Sequence, residues 1–180
     1  MCFTIITGKE AQYLFFATYL IHFVSIINRE YSKGHISMAL NDSNNMLIAI
    51  SQSEFYGKSL LGTALLPYLQ SLSLEQVTTT ATYEGYSVWG IVLHILYHKH
   101  VTIRLLQGDH SVGPFPYEQA DWPSIPPYPD RDKWKQVLTY LQTIHNTYIS
   151  TLQTFPIEQL NEVLPPWQCT IGDVIRKITC

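Results

Sequence analysis

The stretch GPFPYEQADWPSIPPYPD, Gly113 to Asp130, sets the strongest limit on what this chain can fold into. Each of its prolines (114, 116, 123, 126, 127 and 129) lacks the amide hydrogen a helix needs and clashes with the carbonyl one turn back. The stretch therefore has no helical interior, and it is too long for a simple turn. It predicts an ordered loop laid over the surface, the kind of segment that often lines a site.

Long helical patterns flank this loop. On the N-terminal side Ser87 stands where a hydroxyl can cap a helix, and Val88, Ile91, Val92, Ile95, Leu96, Ile103 and Leu106 then recur at three and four residues up to Gly108. On the C-terminal side Asp130 caps a second pattern, whose stripe is Trp134, Val137, Leu138, Leu141, Ile144, Tyr148 and Leu152 and which stops at Pro156.

The remaining segments add shorter pieces. The polar run NDSNN, Asn41 to Asn45, reads as a boundary or helix start, and MLIAISQSEFYG carries helical spacing up to Gly57. A further helical piece is expected from Ser59 through LLGTALLPYLQSL, bent or ended by Pro67. Ser73 and Gln76 have capping-box spacing, and TIGDVIRKITC opens a last helix at Thr170 that runs for about three turns. No segment shows convincing strand alternation. The sum is an all-α chain, and helices of this length joined by one short and one long connection predict a four-helix bundle with its last helix incomplete.

Composition fits a packed core, with 46% hydrophobic and 13% aromatic residues in a chain of 180. The net charge of -3 and the lack of a basic cluster give no electrostatic basis for binding nucleic acid. Cys2, Cys169 and Cys180 are odd in number and form no Cys-x-x-Cys pair, which fits free thiols in a reducing, cytoplasmic setting.

Residues 1–40 read as an N-terminal apolar extension and residues 41–180 as the helical domain. The run AQYLFFATYLIHFVSII, Ala11 to Ile27, admits three readings: a docked or buried helix, a membrane anchor, or translated upstream DNA covering residues 1–37. Lys9 is followed by Glu10 and no small-x-small cleavage site closes the run, which disfavours a signal peptide; Gln12 and His22 interrupt it, and the docked helix is preferred over a membrane partner.

Among the histidines, His94 and His98 lie one helical turn apart and could share a divalent metal. The apolar stripe around them predicts His94 in the core, His98 at its rim and His100 in solvent. His145 is expected to be exposed, although it lies beside core Ile144, where it could contribute a further ligand. His22, His35 and His110 have no local partner, and Tyr97, Asp109 and Glu84 are nearby groups able to act as acid or base but without diagnostic spacing.

SVWGIVLHILYHKHVTIRLLQGD, Ser87 to Asp109, resembles the second-helix motif of the DinB-like (DinB/YfiT) superfamily, with its Ser-(Ile/Val)-Trp start and Leu-His-Ile centre. FYGKSLLGTALLPYLQSLSLEQ, the proline-rich loop, PDRDKWKQVLTYLQTIHNTY and TIGDVI are similar to its other parts, so the resemblance runs from about Met46 to Ile178. It implies a four-helix bundle with a zinc or nickel site in its core, and a metal-dependent enzyme of the thiol S-transferase type acting with a small thiol or other small molecule. His94 matches the ligand from the second helix; His98 and His100 fall where the family usually has aromatic residues.

A His-x-x-x-His pair expected from the fourth helix is missing, because the sequence ends in RKITC. The chain thus resembles a family member truncated within that helix, with impaired activity. The alternative reading is a metal-free helical interaction or dimerisation domain, for instance a homodimer.

Overall fold

A computed structural model of the chain describes residues 40–59, 62–82, 85–108, 112–164 and 168–179. The N-terminal apolar run, Cys2, Cys180, Glu84, Asp109, His22, His35 and His110 lie outside the described residues. The described chain is mostly helical. Its α-helices are α1 (Leu40–Tyr56), α2 (Leu65–Ser71), α3 (Leu74–Thr78), α4 (Val88–Gln107), α5 (Arg131–Thr154) and α6 (Ile171–Thr179), with a 3-10 turn at Ile157–Asn161. None of the described helices is long and apolar enough to cross a membrane.

The polar run Asn41 to Asn45 lies in the first turns of α1, as a helix-start signal does. Two expectations about the segment that follows are corrected. The piece expected to be helical from Ser59 is a small antiparallel hairpin, β1 (Lys58–Ser59) and β2 (Gly62–Thr63), paired Lys58 with Thr63 and Ser59 with Gly62. Gly62 takes a φ of +129°, a conformation that suits glycine, and helix begins only at Leu65. Pro67 neither bends nor ends α2. It sits in the first turn, where the missing amide would have no partner inside the helix. A second hairpin of equal size pairs β3 (Val163–Leu164) with β4 (Cys169–Thr170). Strands of two residues give no run long enough to show alternation, which is why neither is visible in the sequence.

The caps behave as their spacing predicts. Ser73 and Gln76 form a reciprocal capping box, the Ser87 hydroxyl accepts from the Gly90 amide at 3.1 Å, and the Asp130 carboxylate accepts from the Lys133 amide at 2.8 Å. Gly108 closes α4 with a φ of +99° while its amide donates to the Arg104 carbonyl.

Packing fixes the directions of the long helices. The Trp89 and Trp134 rings are 5.1 Å apart near the starts of α4 and α5, and Lys99 Nζ lies 4.4 Å over the Tyr148 ring further along both. The two helices are therefore parallel, and the proline-rich connection has to travel back the length of α4. α6 follows the second hairpin, where the Ile171 amide donates to the Glu162 carbonyl, and its Ile175 carbonyl accepts from the Tyr148 hydroxyl of α5. The end of α1 lies against His145 and Asn146 of α5.

The core between these elements holds Leu69, Trp89, Leu93, Leu96, Leu141 and Leu152, among others, each essentially out of water. Burial of a side chain of this size contributes roughly 1.5–3 kcal/mol. The buried face of α4 is rotated by about one residue from the stripe expected, because Trp89, Leu93 and His100 are fully buried while Ile91 and Ile95 are half-buried. The cause is that α4 is covered on more than one side, by α5, α6, α3 and the crossover loop, so a single three-to-four spacing does not identify its inner face.

Candidate functional site

The crossover loop is held over α4 and α5 by one apolar anchor. Phe115 is buried, with its ring 5.6 Å from Tyr97 and 5.3 Å from His100 on α4, and 6.4 Å from Tyr140 on α5. The Gly113 carbonyl accepts from His100 Nε2 at 2.8 Å. Further along, Pro123 is buried and Lys133 Nζ donates to the Tyr128 carbonyl at 2.7 Å. These contacts fix the backbone between them, which carries Asp121 and Trp122 to the outward face of α4.

There the loop meets His94 and His98. Nδ1 of His94 donates to the backbone carbonyl of Asp121 at 2.5 Å, and Nε2 of His98 donates to Asp121 Oδ1 at 2.6 Å. The same Oδ1 is 3.6 Å from His94 Nδ1. A carbonyl or carboxylate oxygen only accepts, so each imidazole carries a proton on the nitrogen facing Asp121. The two rings are 4.4 Å apart at 70°, as the four-residue spacing on a helix requires.

One face of the site is aromatic. Trp122 lies flat on His94, 4.0 Å between ring centres and 12° between planes, and also stacks on Tyr86 at 4.2 Å. Burial pushes the His94 imidazolium below its usual range, and the neighbouring His98 adds to this. The hydrogen bond to the Asp121 carbonyl, and secondarily the Asp121 charge, oppose it. The His94 ring is consequently neutral at pH 7, the form that can ligate a metal.

The structure sorts the expected histidines differently from the sequence. His94 is not in the core: its side chain is 26% exposed and faces the loop, with His98 beside it at 39%. His100, expected in solvent, is 1% exposed beneath Phe115. His145, also expected to be exposed, is 1% exposed and stacked on Phe55 of α1. Tyr97 is half-buried with its ring against His98 and Phe115.

Sequence reading missed Asp121, Trp122 and Tyr86. The only available signal was that a long proline-rich loop often lines a site. Chemically, two imidazoles and a carboxylate are the donor types that zinc and other first-row divalent metals take, so the residues present fit such an ion. No protein-family model, no curated protein and no solved structure matches this chain.

Proposed function

We propose that this chain is a four-helix bundle of the DinB-like kind, formed by α1, α4, α5 and α6, and that it works as a metal-dependent enzyme of the thiol S-transferase type with His94 as a ligand. The observation that carries this reading is the position of His94. It lies in mid-helix on α4, neutral and half-buried under a crossover loop that joins two parallel helices. The Leu-His-Ile sequence around it supports the same reading. When bound there, zinc or nickel would lower the pKa of a thiol or water so that a nucleophile exists near neutral pH.

The protein's own residues orient the site. The Asp121 carbonyl fixes the tautomer of His94, and Trp122 fixes the plane of its ring. The half-buried free thiol of Cys169 fits a cytoplasmic setting.

The test is transfer of a small thiol to an electrophile by the full chain, with and without added zinc or nickel. Metal-dependent turnover that disappears in His94→Ala supports the reading; equal rates with and without metal, or in the variant, sink it. The second reading, a metal-free dimerisation domain, is favoured by one observation: Tyr86 and Trp122 form an exposed stacked pair. Sedimentation of the metal-free chain as a dimer that dissociates in Trp122→Ser would support that reading.

A further inference from the structure

We infer that His94, His98 and Asp121 together form a three-ligand site for one divalent cation, with the crossover loop supplying the carboxylate. This deepens the reading above by naming the ligands, and it rests on that reading only for the choice of His94. Each of the three residues offers one ligand atom, and these atoms lie within 4.8 Å of one another. Around a tetrahedral ion with bonds near 2.0–2.1 Å, ligand atoms sit roughly 3.3 Å apart, so contraction by at most about 1.5 Å would close the shell. A contraction of that size is within the reach of side-chain rotation at the exposed Asp121 and the half-buried His98, with α4 left in place.

Three features distinguish this group from a chance surface cluster. The histidines are four residues apart in the middle of a twenty-residue helix, so their separation is set by the backbone. The loop that carries Asp121 is anchored independently at Phe115, Pro123 and Tyr128, so its carboxylate is in place before any ion arrives. The site is also open to solvent at Asp121, whose side chain is 63% exposed, so an ion can enter and a coordination position stays available to water or a thiol. Two imidazoles and a carboxylate form a borderline-hard donor set that zinc accepts with three protein ligands.

Where an imidazole ligates through the nitrogen that now faces Asp121, binding replaces its hydrogen bond to Asp121 and shifts its ring proton to the other nitrogen, so the cation and the hydrogen-bonded latch are alternative occupants of one place. Protons compete with the ion through both imidazoles.

The test is calorimetric titration of zinc chloride into the full chain and into His98→Gln, Asp121→Asn and His94→Ala, with circular dichroism confirming that each keeps its helices. One zinc per chain is expected, with affinity falling at least about tenfold in each variant because chelation by preplaced ligands supplies most of the binding. In the unsubstituted chain, the ring protons of His94 and His98 should shift together in nuclear magnetic resonance spectra on addition of zinc. That measurement does not depend on a variant folding. Zinc binding that ignores Asp121→Asn and His98→Gln, or ring protons that do not respond, overturns the three-ligand site. Loss of binding only in His94→Ala overturns the ligand set and leaves the proposed function standing. Tight binding through all three residues without thiol transfer does the reverse.

Discussion

The imidazole of His145 lies flat on the ring of Phe55, 3.7 Å between centres and 6° between planes, and neither of its nitrogens has a hydrogen-bond partner among the described residues. Tyr56 meets the same ring edge-on, and Lys99 from α4 faces it electrostatically. Burial, and secondarily the Lys99 charge, push the His145 pKa down to about 3. The unfolded chain takes up this proton near pH 6.5 and the folded chain only near pH 3. This residue therefore leaves stability unchanged above about pH 6.5 and lowers it progressively as pH falls toward 3. His145→Phe removes both orphan nitrogens while keeping the stack. It is expected to raise stability at pH 7 by about 1–3 kcal/mol and to flatten the acid limb of the stability profile. Denaturant unfolding of the two proteins from pH 7 to pH 4, taken as a difference, checks this; an unchanged acid limb would show that His145 is hydrated or partnered in solution.

Tyr140 gives the matching expectation at high pH. Burial and the adjacent Tyr117 push its pKa up to about 12, and burial raises Tyr117 as well. The unfolded chain loses these protons near pH 10 while the folded chain holds them, so stability is intact below pH 10 and declines as pH rises from 10 toward 12. Absorbance titration of tyrosinate should show a late-ionising fraction that shrinks in Tyr140→Phe. Ionisation of every tyrosine near pH 10 with the fold intact would contradict the packing of Tyr117 against Tyr140.

Interactions within a few residues were legible in the sequence, and those that depend on a distant segment were not. Ser73, Ser87 and Asp130 were recognised as caps because a cap is completed by an amide two or three residues away. His98 was recognised beside His94 for the same reason. Asp121 lies 27 residues from His94 and 23 from His98, across a loop whose path is set by Phe115 in the core, and no local pattern encodes that path. His100 and His145 were misplaced because the residues covering them, Phe115 and Phe55, come from the loop and from α1. The mostly helical character depends on local patterns repeated many times, which is why it survived these errors.

The cap at Ser87 offers a direct measure of how much α4 depends on its first turn. Its hydroxyl is buried and satisfies the Gly90 amide, so Ser87→Ala leaves a donor unpaired at the start of the helix that carries His94 and His98. The expected loss is about 1 kcal/mol, and Ser87→Asp should recover most of it. Equal stability of the wild type and Ser87→Ala in urea unfolding would mean that water replaces the hydroxyl at no cost.

Phe115 is the residue through which the loop, and so Asp121, is positioned. Its ring is buried among Tyr97, His100, Tyr117 and Tyr140, and truncation leaves a cavity between α4, α5 and the crossover. Phe115→Ala is expected to cost about 3 kcal/mol or more, whereas Phe115→Leu, which keeps most of the volume, should cost well under half of that. The two variants also separate anchoring from general stability. In Phe115→Ala the freed loop should become the first site cut by a protease of broad specificity, and zinc affinity should fall although all three ligands are present, because the carboxylate is no longer held in place. Retention of wild-type zinc affinity by a folded Phe115→Ala protein would show that Asp121 finds the histidines without the anchor.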